Sequence, residues 1–307
     1  MQLIRQAAAL ETNGRKVCLA IGVFDGVHLG HQQIIRQTLA DARQHDAIAL
    51  VVTFDRHPNA VVAPDRTPPL IYPLNQKLRT IETLGTDALL LIEFNRAFSE
   101  QTGETFIRRL ATDLGKLQSI CVGADFVFGH QRSGNVALLR QLGAQLGFHV
   151  HGMSALSLDG EVVSSTRIRA AIQAADFDAA SQMLGRAYSV SGPVKSGDQL
   201  GHKLGFPTAN LEVTGLALPP DGVYAARSTV DGATHHSVLN IGIRPTIESG
   251  KSERRFEVHL LDYAGDLYGK ELEVEFVARI RDEMKFASLE ALKTQIAEDI
   301  AAAARCF

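Results

Sequence analysis

The sequence predicts an α/β protein of two modules: a doubly wound N-terminal domain around a parallel sheet, then a small antiparallel β-barrel with a C-terminal helix. Three observations carry this expectation. Over residues 1–185 short apolar runs alternate with amphipathic stretches, the pattern of strand, helix and strand that a parallel sheet requires. From Arg186 onward, for about 95 residues, strand and turn signals follow one another with no helical period between them. The 307 residues also exceed what a single core usually serves, so the chain divides into 1–185 and 186–307.

In the first domain Val17 to Ile21, Ala47 to Phe54, Ala88 to Phe94 and Ser119 to Val122 are continuous apolar runs, as strands covered on both faces should be. The helix after the first strand puts Ile35, Leu39 and Ala42 on one face, and further helices are predicted over Gln76 to Leu84, Thr105 to Leu110 and Val136 to Leu146. In the second domain Val223 to Val230 runs into Asp231-Gly232, a two-residue hairpin signal. Leu272, Val274, Phe276, Ala278 and Ile280 alternate with polar neighbours, a strand with one face inward. Ser288 is a candidate N-cap, and Leu289, Leu292, Ile296 and Ile300 recur at helical spacing, which predicts a last helix packed on the barrel.

Composition narrows the function. Apolar residues at 45% and charged residues at 21% suit a folded globular chain and argue against disorder. A net charge of −3 gives no reason to expect a nucleic-acid partner, which points to small-molecule chemistry. Cys18, Cys121 and Cys306 lack the spacing of a zinc site or a disulfide framework, and the first two read as core thiols. The N-terminal residues carry no signal-peptide block and no run is long enough to span a bilayer, so a cytoplasmic protein without a membrane partner is expected.

Two constellations carry chemistry. The first is Gly22-Val-Phe-Asp-Gly26-Val-His28-Leu-Gly30-His31, between the first strand and the first helix, where parallel α/β sheets bind ligands. Its glycines permit tight turns and close backbone approach, and the helix N-terminus offers free N–H groups to phosphate. His28 and His31 are placed to donate to phosphate oxygens as charge develops on a leaving pyrophosphate. A metal pair needs a third and fourth ligand that nothing nearby supplies. The run Ser164-Ser165-Thr166-Arg167-Ile168-Arg169 reads by itself as an N-cap, and beside the histidine turn as the other half of a triphosphate grip.

The second constellation lies in the barrel. Gly192, Gly197, Gly201 and Gly205 recur before Phe206-Pro207-Thr208-Ala-Asn210, a glycine-spaced segment able to close over phosphates, though it matches no standard phosphate loop. Thr208 and Asn210 offer hard oxygen donors suited to Mg²⁺, and equally suit a turn. Glu257 shares a strand face with Arg255 and His259, and by that pattern alone is an exposed strand glutamate or a base.

The chain resembles the bacterial bifunctional riboflavin kinase/FAD synthetases, whose Rossmann-like first module belongs to the His-x-Gly-His nucleotidyltransferases. The likeness runs through GVFDGVHLGHQ (22–32), TFDRHP (53–58), GADFVFGHQRSGN (123–135) and SSTRIR (164–169). It continues in LGFPTANL (204–211), GVYA (222–225), NIGIRPT (240–246) and EVHLLD (257–262). It implies phosphorylation of riboflavin to FMN by ATP, then adenylylation of FMN to FAD with release of pyrophosphate.

At the first site the resemblance implies ATP contacts from His28 and His31, with Gly22, Phe24, Asp25 and Gly26 in the same turn. Ser165, Thr166 and Arg169 would hold the triphosphate from the opposite side, and Asp125 and His57 would lie near the nucleotide or flavin. At the second, Thr208 and Asn210 would hold Mg²⁺, Glu257 would accept the proton of the ribityl hydroxyl, and Gly197, Gly201, Lys203, Gly205 and Pro207 would border the phosphates. Arg281, Glu283 and Phe286 would stand on the flavin side. Two departures stand out: Arg56 replaces a proline, which makes that loop more basic and less constrained, and His202 replaces an arginine ahead of Lys203. A lone nucleotidyltransferase with a capture barrel and a non-catalytic flavin binder are the rival readings; Thr208, Asn210 and Glu257 together speak against the first, and the intact histidine turn against the second. Oligomeric state is left open.

Overall fold

The computed structural model describes residues 1–195, 205–245 and 252–307. Contacts divide the chain into two compact units, Met1–Leu70 with Leu74–Ser165, and Ile71–Pro73 with Thr166–Phe307.

The first unit is built on strands β1 (Gln2–Ile4), β2 (Val17–Ile21), β3 (Ile48–Phe54), β4 (Ala88–Ile92), β5 (Leu117–Gly123) and β6 (His149–Met153). They form one parallel sheet in the order β1-β4-β3-β2-β5-β6. Helices α1 (Leu29–Gln44), α2 (Leu74–Glu82), α3 (Gly103–Leu114) and α4 (Val136–Leu146) cover it. The pleat sorts β2 between two cores: Val17, Leu19 and Ile21 join Ile107 and Leu139, while Cys18 and Ala20 join Ile35 and Ile81. With no polar face, such a strand reads as one apolar run. From β2 the chain winds outward to β3 and β4 and then returns to β5 on the other side, so the switch point where such sheets bind ligands lies between the carboxyl ends of β2 and β5.

Strands β1 and β6 lie outside the predicted set because they sit at the sheet edges, and β6, with the sequence HVHGM, is covered too little to need an apolar run. Helix α3 is longer than expected at both ends, starting from the Thr102 cap, whose hydroxyl accepts the Thr105 N–H at 3.2 Å.

The second unit carries α5 (Ser165–Gln173), of which Ser165 itself belongs to the first unit, and α6 (Phe177–Leu184). Its barrel comprises β7 (Ser189–Lys195), β8 (Ala209–Leu211), β9 (Gly222–Val230), β10 (Ala233–Pro245), β11 (Ser252–Leu260) and β12 (Glu271–Asp282), followed by α7 (Leu289–Ala304). The strands close in the order β7-β8-β11-β10-β9-β12, every described pair antiparallel. Asp231 at φ 51° and Gly232 at φ 81° make the predicted two-residue hairpin, both in the left-handed region that such a turn demands.

Tyr188, Tyr224, Phe256 and Phe276 are fully or almost fully buried. Phe177 of α6 lies with its centroid 4.9 Å from Phe276, 5.8 Å from Tyr224 and 6.3 Å from Tyr188, so α6 supplies one ring to the barrel's aromatic cluster.

The expected alternation of β12 holds only as far as Phe276. There the register slips: Phe276 pairs with Ala226, but Ala278 pairs with Ala225, leaving Val277 as a β-bulge, and a second slip leaves Ile280 unpaired. Ala278 and Ile280 therefore join Val223, Ala225 and Ile300 in the cluster facing α7 instead of continuing the inward row. The predicted apolar stripe of α7 is also corrected at its start, since Leu289 is 58% exposed. Ser288 caps that helix as expected, accepting the Ala291 N–H at 3.2 Å.

Candidate functional site

The histidine turn leaves β2 at the switch point. Its backbone is sharply bent, with Phe24, Gly26 and Val27 all at positive φ, a conformation a β-branched residue such as Val27 adopts only when its surroundings impose it. Val27 is fully buried, and its carbonyl accepts the Gln32 side-chain amide at 3.0 Å. His28 is the N-cap of α1: its Nδ1 accepts the His31 N–H in a long contact of 3.4 Å, which leaves Nε2 to carry the proton of the neutral ring. The His28 and His31 rings stack at 3.6 Å, and Phe24 sets its edge against His31 at 5.3 Å. His31 Nδ1 is buried with no hydrogen-bond partner. Burial pushes the His31 pKa well below the ordinary histidine value, and His28 and Lys77 push it the same way. Two stacked imidazoles thus stand at a helix N-terminus, and His31 is pushed toward its neutral form.

Around this turn the first unit gathers several predicted residues. The Ser165 hydroxyl donates to the Asp25 carbonyl at 3.1 Å, which ties Ser165 to the histidine turn; Asp25 itself is buried. His57 accepts the Asn59 N–H at 3.1 Å in the loop after β3. Asp125 is exposed in the turn after β5, the other strand of the switch point. Thr166 and Arg169 stand on α5 in the second unit, the first exposed and the second half-buried. Arg56 adds its positive charge beside Asp55, and its Nε and Nη2 both donate to Asp55 Oδ2, at 3.0 and 2.8 Å.

Lys77 was not among the expected site residues. It is buried on α2, and its ammonium donates to the Phe54 carbonyl at 2.7 Å and to the Val23 carbonyl and Thr53 hydroxyl at 3.4 Å each. Burial lowers its pKa to about 8 against the opposing charges of Asp25 and Asp55. The signal was present: Lys77 falls on the apolar face of α2, between Leu74 and Ile81 at helical spacing.

One further cluster has ligand-type atoms within 4.8 Å of one another: Asp41, Cys121 and His151. Its carboxylate already accepts the Ser119 hydroxyl at 2.6 Å, the Cys121 thiol at 3.8 Å and the Gln37 amide at 2.8 Å, and pairs with His151 Nε2 at 3.0 Å. Burial pushes the Cys121 thiol up to about 12. The cluster is a satisfied core network, and Cys18 and Cys121 are buried as expected.

In the barrel a cavity of about 580 Å³ opens between the outer faces of β9 to β11 and helix α7. Its apolar end is Val223 and Val238 with Leu292, Ile296 and Ile300. At the other end cross-strand register sets Asn210 beside Glu257 and Glu257 beside Asn240, three polar side chains on one face of three neighbouring strands. Thr208, Arg255 and His259 line the same end. Arg255 donates to Glu257 at 3.3 Å, and His259 Nδ1 holds the Pro207 carbonyl at 2.8 Å. The hydroxyl of Thr208 and the amide oxygen of Asn210 are hard oxygen donors of the kind Mg²⁺ takes, with the Glu257 carboxylate beside Asn210. Asn240 was passed over by sequence reasoning, although it is the polar residue of the NIGIRPT run between buried Leu239 and Ile241.

The second slip in β12 brings Arg281 opposite Val223, at the cavity. Its guanidinium forks onto Asp299 of α7 at 2.8 and 2.7 Å and lies 5.8 Å from the Phe286 ring centre. Glu283 packs so closely on Gly242 that a Cβ there would come within 2.2 Å of its carboxylate. Gly205 is exposed at φ 90°, whereas Gly197, Gly201, His202 and Lys203 lie outside the described residues.

Two family models match successive stretches of the chain. The FAD synthetase family model matches residues 10–167 and the riboflavin kinase family model residues 184–307. The chain is 40% identical over 303 residues to the bifunctional riboflavin kinase/FMN adenylyltransferase of Pseudomonas fluorescens, with 99% of this chain and 97% of that one covered. It is 36% identical over 301 residues to the same enzyme of Escherichia coli K12, with 97% and 96% covered. A crystal structure from Streptococcus pneumoniae, described as a macrolide-efflux protein, shares the fold at a TM-score of 0.82 and 27% identity over 98% of both chains. Among the described residues no helix is long and apolar enough to cross a membrane. The histidine turn lies in the stretch matched by the first model and the barrel cavity in that matched by the second, and the chain belongs to the bifunctional riboflavin kinase/FMN adenylyltransferases, which make FMN from riboflavin and FAD from FMN with ATP in both steps.

Proposed function

We propose that the two reactions use separate residues on the two sides of residue 185, the histidine turn serving adenylyl transfer and the barrel cavity serving phosphorylation. In the first, an FMN phosphate oxygen attacks the α-phosphorus of ATP and pyrophosphate leaves. His28 and His31 donate to the phosphate oxygens on which charge grows, assisted by the N-terminus of α1. Gly22, Phe24, Asp25 and Gly26 shape the turn, Ser165, Thr166 and Arg169 grip the triphosphate, and His57 and Asp125 border the nucleotide or flavin.

In the second, Glu257 takes the proton of the ribityl hydroxyl as its oxygen attacks the γ-phosphorus, and ADP leaves. Mg²⁺, when bound through Thr208 and Asn210, would neutralise charge on the ATP phosphates. Gly197, Gly201, Lys203, Gly205 and Pro207 border those phosphates. Val223, Val238 and the α7 stripe offer a flat ring system an apolar slot, with Glu283 and Phe286 at its rim and Arg281 anchoring that rim. Both reactions draw on ATP, so we place the enzyme in the cytoplasm.

The observation that carries the reading is the row Asn210, Glu257, Asn240 at one end of a cavity whose other end is the apolar slot of Val223, Val238 and α7. Its test is Glu257→Gln, which keeps the shape and removes the base. FMN production should fall by ~10² to 10⁴-fold while FAD formation from supplied FMN stays near normal. Full kinase activity in this variant would make Glu257 a strand glutamate and end the mechanism.

A further inference from the structure

A lysine that is 8% exposed is costly, because burial penalises its charge, and it persists where the charge or its hydrogen bonds are used. Lys77 shows both uses. An ammonium has three donors, and Lys77 has three acceptors: the Phe54 carbonyl at the end of β3, the Thr53 hydroxyl, and the Val23 carbonyl inside the histidine turn. Thr53 in turn donates to Val23 O at 3.0 Å, so one buried knot joins the turn after β2 to the loop after β3.

We propose that Lys77 is a positioning residue for adenylyl transfer: by clasping the Val23 and Phe54 carbonyls it sets the histidine turn against the neighbouring loop and brings a buried positive charge to the imidazole pair. This rests on the reading of His28 and His31 given above. The groups facing Lys77 are Asp25 and Asp55, which favour its charge, and His31, stacked on His28, whose protonation its charge disfavours after burial and His28. A neutral His31 remains an N–H donor without drawing a carboxylate into the site, and the turn meets the triphosphate already ordered.

Lys77→Met, Lys77→Arg, His28→Ala and His31→Ala, each in the full chain, test this with riboflavin kinase activity as the control for folding. Lys77→Met should lose ~10 to 100-fold in kcat for FAD formation with a smaller change in KM for ATP, as expected when aligned donors are displaced. Histidine ring resonances should show His31 taking up its proton at higher pH in Lys77→Met than in the parent, with the acid limb of FAD formation moving the same way. The parent should also lose activity as pH rises through about 8, where Lys77 gives up its proton, a limb that Lys77→Arg moves upward. If His28→Ala and His31→Ala leave FAD formation intact, the underlying reading fails. If they lower it while Lys77→Met keeps the parent rate and the parent His31 titration, Lys77 is only a core lysine. Should Lys77→Met not fold, a parent profile flat through pH 8 and shared by Lys77→Arg overturns the proposal equally.

Discussion

At the scale of single residues the two sites make opposite demands on charge. Burial and the neighbouring His28 and Lys77 push His31 toward its neutral form, so the contribution proposed for it is directional hydrogen bonding. Replacing His28 or His31 with Ala should therefore lower FAD formation by ~10²-fold or more and spare FMN formation, measured by separating the flavins chromatographically. Equal loss of both activities in a folded variant would contradict the division of labour. Lys77 adds a stability consequence. Its pKa falls on folding from 10.5 to about 8, so the unfolded chain binds more protons between those values and stability rises with pH across that window. The burial penalty is fully present below pH 8 and worth about 3 kcal/mol at 1.4 kcal/mol per pH unit. Urea titrations at pH 7.5 and 10 should show this rise in the parent and its loss in Lys77→Met; equal slopes in both would refute the burial argument. The histidines were legible in the sequence because glycines and a strand-to-helix junction frame them. Lys77 was not, because a lone lysine on a helix looks like a solvated one until its face is followed.

At the scale of elements, β12 and α7 decide the shape of the barrel cavity. The two bulges in β12 turn the outgoing half of the strand, so Arg281 meets α7 and clamps Asp299 with both prongs of its guanidinium. Asp299 is 4% exposed, and Asp299→Ala would leave a largely buried guanidinium without its partner. The expected cost is about 3 kcal/mol in barrel stability, with a higher KM for riboflavin as α7 loosens, read by thermal unfolding and kinase assays. An unchanged KM would show that the clamp is remote from substrate. Strand existence and the Ser288 cap were legible because period and cap chemistry are local. The bulges were not, since Val277 and Ile280 differ from ordinary strand residues only in what lies across from them.

At the scale of the whole molecule, the change of pattern at Gly185 and the compact units differ by the span 166–185. Helix α6 inserts Phe177 among Tyr188, Tyr224 and Phe276, so the barrel's aromatic cluster is completed from outside the barrel sequence. We expect fragments 166–307 and 186–307 both to phosphorylate riboflavin and neither to make FAD. The longer one should be more stable by about 3 kcal/mol, the usual cost of removing a buried aromatic ring, and Phe177→Ala should reproduce the difference. Equal unfolding midpoints would show that the ring contributes nothing. The sequence by itself determined the two architectures, their order, the histidine turn and the candidate metal donors, because apolar period, turn chemistry and motif spacing are properties of neighbouring residues. Only the tertiary structure decided that Asn240 stands beside Glu257, that Lys77 reaches beneath the turn, that Asp299 holds Arg281 and that Phe177 belongs with the barrel. Each of these joins residues distant in the chain or fixed by register, and such contacts exist only once the strands have paired and the helices have packed.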